Sequence, residues 1–362
     1  MERIGYIDAM RGMTMLLVVY SHVCHYCMGD TAMGGNDVMF LFRLPCFFFI
    51  SGWLFGKNSV VKPQSTLKAQ STLKQFNGGG RFWEVLRHKL RVQIVPTVVF
   101  LLLLVSVDNL SAPANIPHTF FNSLGATKGG YWFTVALFEF FVIYMLSSLA
   151  WRKRERWKGI LALVISVIAF CYDVYYSHLV ANHPHPWIYR VLGFLGVMTW
   201  RYYFFFYVGT LTRKHFDRFL RLTENRLFLS VMAMAFVAAA LLRHDSHVLP
   251  VGLSFFIGGT AGMILVYAAF RRLSSLLTKE WFAGRWLQFV GTRTLDIYLL
   301  HYFFLPRCLL AVAADIRGQS ELLAVITVSA VTLVVTALCL LASAAIRRSS
   351  FLAYWLFGAK TI

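Results

Sequence analysis

The sequence predicts an all-α polytopic integral membrane protein with about ten transmembrane helices and cytoplasmic N- and C-termini. Three observations carry that expectation. Of 362 residues, 58% are hydrophobic and only 14% charged, with a mean hydropathy of +0.61. A soluble domain would carry about a quarter charged residues. Apolar runs of spanning length recur from end to end. They are continuous, unlike the alternating segments of about 10 residues of an outer-membrane barrel. The 35 Lys and Arg outnumber the 16 Asp and Glu, a formal net charge of +19, but their placement is uneven. With the N-terminus inside, the external loops hold only Lys128, Arg243 and Arg317. That asymmetry reads as topology and contact with anionic lipid headgroups, so the bilayer is the expected partner and nucleic acid is not.

The expected spans are 11–28, 38–56, 92–108, 131–150, 159–176, 189–211, 227–242, 249–270, 289–311 and 321–346. The first carries the strongest signal. Asp8, Arg11, Met15, Val18, His22 and His25 follow at spacings of three and four, which places them on one face of a helix. Arg11 and His22 are separated by about 16 Å of helix, the distance from a membrane surface to near the midplane. Ionisable groups at that depth are costly and face a bundle interior or a wet cavity, so this stripe reads as a site. His25, at its edge, reads as packing rather than chemistry. Met1-Glu2-Arg3 leads directly to Asp8 and Arg11, and no small-residue cleavage pattern follows His22, so no removable signal peptide is expected.

In the second span, Pro45 predicts a kink and Ser51-Gly52 a close helix approach. Residues 57–91 form a basic cytoplasmic loop and amphipathic segment, ending in Arg87-His88-Lys89-Leu90-Arg91 just before the third span. Arg87, Lys89 and Arg91 read as a phosphate-binding patch or as an interfacial anchor. The fourth span opens Tyr131-Trp132-Phe133 and carries Glu139 near its middle, either a functional acid or an interhelical tie. The turn from His178 to Trp187 alternates His with Pro and reads as an ordinary loop. The ninth span places Tyr298 and His301 at about the depth of His22. Glu139, His22 and His301, from three spans, would suit a buried proton-transfer site. Cys24 and Cys27 have no second pair at zinc spacing, so no metal site is expected. The chain reads as a single transmembrane domain over 1–362 with no appended soluble domain and no inverted repeat.

These residues resemble the membrane-bound acyltransferase-3 family. Asp8-x-x-Arg11-Gly12 followed by His22 is similar to its first-helix arginine–histidine motif. Phe47-Phe48-Phe49-Ile50-Ser51-Gly52-Trp53 resembles its second-helix signature, Tyr131-Trp132-Phe133 its mid-chain Trp-Phe, and Ile297-Tyr298-Leu299-Leu300-His301 its late Tyr-Leu-x-His. The four anchors appear in the family's order across most of the chain. Pro96 departs from the pattern, lying five residues after Arg91 where the family places a proline about three after a basic pair. The fused extracytoplasmic hydrolase-like domain of some members has no counterpart, which implies a stand-alone form.

The resemblance implies an acyl-CoA-dependent O-acyltransferase of a bacterial inner membrane, moving an acyl group, most often acetyl, from cytoplasmic acyl-CoA to a carbohydrate hydroxyl. Acyl-CoA would be a donor substrate, with no bound cofactor. His22 suits the general base, because a neutral histidine can take a proton from an attacking hydroxyl near pH 7. Arg11 suits a CoA phosphate or the developing oxyanion, and Asp8 would orient Arg11. Arg87, Lys89 and Arg91 are candidates for the nucleotide phosphates. Glu139, Tyr298, His301 and Ser51 are candidates for acceptor binding or proton relay. The competing reading is a proton-coupled transporter of a polar solute or glycan precursor, which would move its solute without consuming acyl-CoA.

Overall fold

A computed structural model of the chain describes residues 4–59, 79–125, 128–151, 154–182, 187–243 and 248–359. Most of the polar loop between the second and third spans, and the His-Pro turn at 183–186, lie outside these residues. Helices dominate, and no strand occurs among the described residues. In chain order they begin α1 (Gly5–Met28), α2 (Asn36–Ser59), α3 (Gly79–Lys89), α4 (Val95–Asp108), α5 (Ile116–Ser123) and α6 (Trp132–Ala150). Next come α7 (Glu155–Asn182), α8 (Trp187–Phe194), α9 (Tyr203–Lys214), α10 (Phe216–Glu224), α11 (Arg226–Leu242) and α12 (Val248–Leu253). The run closes with α13 (Gly259–Arg272), α14 (Phe282–Thr292), α15 (Thr294–Phe304), α16 (Ala313–Gln319), α17 (Glu321–Ile346) and α18 (Ser350–Phe357).

The helices show the reversed pattern of membrane segments. Along α17 the inward positions are Ala324, Val328, Thr332, Thr336, Cys339 and Ser343, while Leu322, Ile326, Val334 and Leu341 face outward. Along α7, Ala162, Ser166 and Ala169 are buried, while Ile160, Leu163, Val167 and Ile168 are exposed. Small residues inside and large apolar ones outside are what lipid contact selects, because backbones must approach closely and no water drives the core. Six helices among the described residues are long and apolar enough to cross a membrane, and up to eight segments are if each bent pair counts as one span. The chain is thus a helical integral membrane protein. Two of the ten expected spans fall outside that set for physical reasons. The polar stripe lowers the mean hydropathy of α1, and residues 189–211 break into α8, a 3₁₀ segment at Val197–Tyr202 and α9.

The chain divides into two compact units, Met1–Ile50 with Asp217–Ser349, and Ser51–Phe216 with Ser350–Ile362. In the first unit, α1 packs most extensively on α14, and α15 lies against both α1 and α17. The α1–α14 crossing depends on two glycines. A Cβ on Gly12 would strike the Leu287 carbonyl oxygen, and one on Gly291 would strike the Asp8 carbonyl oxygen. Helix α1 ends where Gly29 turns left-handed at φ 66° and its N–H returns to the Cys24 carbonyl. The expected ninth span is discontinuous: α14 stops at Thr292, α15 runs to Phe304, and the next segment turns away by 59° beyond Leu305-Pro306.

In the second unit, α7 packs on Val197–Tyr202 and α9, while α6 packs on a π-helical turn at Leu90–Ile94. Pro96 explains that turn. Its ring would clash with the carbonyl four residues back, and the wider turn lets the Val95 N–H reach the Leu90 carbonyl instead. Gly52 fulfils the close approach expected of Ser51-Gly52, since a Cβ there would meet the Phe206 carbonyl oxygen on α9.

Candidate functional site

Among the described residues, Arg11 with Thr294 and His22 with His301 join the polar stripe of α1 to α15, and their order along both helices makes the two run in the same direction. Arg11 donates from a guanidinium nitrogen to Thr294 Oγ1 at 2.8 Å. Three turns further on, His22 Nδ1 lies 2.6 Å from His301 Nε2, with the two rings parallel to within 8°. Thr294 and His301 are seven residues apart, two turns and about 10 Å of rise, so they share a face. The corresponding rise on α1 is about 16 Å. The long arm of Arg11 covers the difference.

Hydrogen bonding orders the protons of the histidine pair. His301 is fully buried, and its Nδ1 lies 2.8 Å from the Tyr298 carbonyl oxygen and 3.2 Å from that of Ile297. A carbonyl only accepts, so Nδ1 carries the hydrogen and Nε2 the lone pair. His22 Nδ1–H then donates to His301 Nε2, which leaves His22 Nε2 as the basic nitrogen. Tyr302 packs on both rings, at 4.1 Å from His301 and 5.2 Å from His22, and Tyr26 meets His22 at its edge. Such a pair can take up one proton at His22 Nε2 while the other ring accepts a stronger hydrogen bond from Nδ1.

At the start of α15 lies a second polar group. Buried Asp8 approaches Arg11 at 3.9 Å. Asp296, 2% exposed, takes two guanidinium hydrogen bonds from Arg347, both at 2.8 Å, and a hydroxyl hydrogen bond from Ser343 at 2.5 Å. Arg293 stands 3.7 Å from the same carboxylate. Asp8, Arg11, His22, Tyr298 and His301 are therefore assembled by one unit, along a single seam. His25, at the end of the expected stripe, is exposed against Tyr26.

The other candidates belong to the second unit. Glu139 accepts a hydrogen bond from Trp200 Nε1 at 2.7 Å, which ties it to the 3₁₀ segment at Val197–Tyr202. Ahead of its helix, Lys128, Gly129 and Gly130 all adopt positive φ. The Lys128 ammonium donates to the carbonyls of Leu124, Gly125 and Phe194. Burial pushes its pKa below the ordinary lysine value, against the opposing pull of Glu139. The cations of the α3 region do not share one seat. Lys89 Nζ lies 3.8 Å over the Phe141 ring, and the Arg91 guanidinium 3.7 Å over the Tyr354 ring, while Arg87 is exposed. Ser51 occupies α2 beside Gly52. Among the described residues, no three His, Cys, Asp or Glu side chains converge as a metal site.

Thr294, Asp296, Arg347, Tyr302, Tyr26 and Trp200 were not singled out from the sequence. The seven-residue spacing of Thr294 to His301 is a signal that could have found the first. Asp296 lies on α15 and Arg347 just past the end of α17, and no local pattern pairs them.

A family model described as an acyltransferase domain, that of acyltransferase-3, matches residues 4–344. No curated protein and no solved structure matches the chain.

Proposed function

The chain belongs to the acyltransferase-3 family of membrane acyltransferases, and from that premise we propose that it moves an acetyl group from cytoplasmic acetyl-CoA to a carbohydrate hydroxyl at a bacterial inner membrane. The observation that carries the reading is the 2.6 Å contact of His22 Nδ1 with His301 Nε2. A sugar hydroxyl is a poor nucleophile unless its proton leaves as it attacks. In the proposed reaction, the hydroxyl proton passes to His22 Nε2 while the oxygen attacks the thioester carbonyl. His301 accepts from Nδ1–H throughout and steadies the imidazolium. Collapse of the tetrahedral intermediate expels the CoA thiolate, which takes the proton back from Nε2. An ester of the sugar and free CoA result, and the histidine pair returns to its starting state.

Arg11 receives the donor rather than the oxyanion in this reading, because about 10 Å of helix rise separates its partner Thr294 from His301. Asp8 orients Arg11. Tyr298 fixes His301 through its carbonyl. The whole chain, 1–362, acts as one transmembrane catalytic domain.

The reading is tested by incubating membranes that contain the protein with acetyl-CoA radiolabelled in the acetyl group. Label should enter carbohydrate as an ester released by mild base, with stoichiometric free CoA. Uptake of a solute without CoA release would overturn it in favour of transport.

A further inference from the structure

Arg43 is a buried cation that the reaction above leaves unused. It lies on α2, about 10 Å of rise from the helix start at Asn36. It is 7% exposed, and one guanidinium nitrogen donates to the side-chain oxygen of Asn36 at 2.6 Å. Asn36 is buried too, and its amide donates to the Thr31 carbonyl. The arginine head is thus drawn back toward the start of α2. Just ahead of that start, a Cβ on Gly34 would strike the hydroxyl of Tyr20, so this segment lies against α1 two residues before His22. From there the Arg43 charge acts on His22 and on Cys24. An arginine at such depth is costly to keep, and groups of that kind mark functional sites.

The geometry points to Arg43 as the fixed positive charge that stabilises the oxyanion of the transfer reaction. This role rests on the acyl-transfer reading, in which Arg11 serves the donor and no group yet faces the oxyanion. His22 becomes a cation as it takes the hydroxyl proton, and a second cation nearby repels it. The repulsion is offset when negative charge develops within reach of both. As the hydroxyl oxygen bonds to the thioester carbon, the carbonyl electron pair moves onto its own oxygen, and it returns when the C–S bond breaks. That oxygen is fully charged only between those two events. A cation already held in place, away from water, needs no reorganisation to meet it.

Asn36→Asp tests the charge while keeping the arginine's partner. The carboxylate retains an acceptor oxygen for Arg43 and offsets its charge, at the loss of the hydrogen bond to Thr31. Acetyl transfer from labelled acetyl-CoA is followed with the full-length protein in phosphatidylcholine nanodiscs. In Asn36→Asp, kcat should fall about tenfold, equivalent to about 1.4 kcal/mol of lost stabilisation, with the KM for acetyl-CoA nearly unchanged. Arg43→Gln should lower kcat about 100-fold, as the loss of one oxyanion partner does. Arg43→Lys keeps the charge and should recover most of that rate. Parent-like kcat in Asn36→Asp would overturn the role, and this variant decides the matter even if Arg43→Gln fails to insert. Equal losses in Arg43→Gln and Arg43→Lys would also overturn it, since they would mark a structural arginine. A parent protein that transfers no acetyl group would remove the acyl-transfer reading and this role with it, a failure seen before any variant is compared.

Discussion

Replacing His301 with alanine isolates the role of the second histidine. In the ground state His22 Nδ1–H donates to His301 Nε2 across 2.6 Å, in surroundings where His301 has no exposure. When His22 takes a proton, that hydrogen bond acquires a charged donor. A hydrogen bond to a charged group is worth about 1.5–3 kcal/mol, and each 1.36 kcal/mol is about tenfold in rate. Turnover by His301→Ala should therefore fall about 10- to 150-fold, with the KM for acetyl-CoA nearly unchanged, because the loss is confined to the transition state. The helix itself survives the change, since the carbonyls of Ile297 and Tyr298 lie mid-helix and keep their backbone partners. His301→Gln offers an amide oxygen to the same Nδ1–H and should recover much of the lost rate. Initial rates of labelled acetyl transfer, at matched amounts of inserted protein, measure both variants. Turnover by His301→Ala within twofold of the parent would refute the proton ordering.

Other consequences follow from packing. Gly12→Val places a side chain against the Leu287 carbonyl and should cost roughly 1–3 kcal/mol, seen as a lower melting temperature in detergent. A parent-like melting temperature would mean that α1 and α14 do not cross as described. Arg347→Ala strips the buried Asp296 of its bidentate partner and should cost about 3–5 kcal/mol. Adding Asp296→Asn should return most of that stability, and no recovery would contradict the pairing. Trp200→Phe removes the donor to Glu139, a loss of about 1–3 kcal/mol. The effect should vanish in a Glu139→Leu background, which has no acceptor, if the two side chains act as one pair.

The polar stripe of α1 was legible in the sequence because a 3.6-residue period and an apolar background leave few readings for Asp8, Arg11 and His22. The similar depth of His22 and His301 was also legible, but that the two rings meet, at 2.6 Å, is visible only in three dimensions. What the residues could not convey was the break between α14 and α15. Val290-Gly291-Thr292-Arg293 contains no proline, and an unbroken apolar run is read as one span. The break starts α15 at Thr294, which allows Arg11 to reach Thr294 and Arg347 to reach Asp296. Arg347 looked like one more cytoplasmic charge, since its partner is 51 residues away and visible only in three dimensions. Arg87, Lys89 and Arg91 looked like a common patch because of their spacing. The π turn at Leu90 and the aromatic faces of Phe141 and Tyr354 assign Lys89 and Arg91 separate seats. Glu139 was legible as unusual, but its tie to Trp200 depends on the 3₁₀ segment at Val197–Tyr202, which follows no helical period.

The central claim is that His22 Nε2 removes the proton from the attacking hydroxyl. Its most direct test is the acetyl-transfer turnover of His22→Ala, compared with the parent at equal levels of normally inserted protein. General-base catalysis contributes about 10²–10⁴-fold, so turnover should fall by that factor while coenzyme A binding persists. Transfer by His22→Ala at the parent's rate would contradict the account.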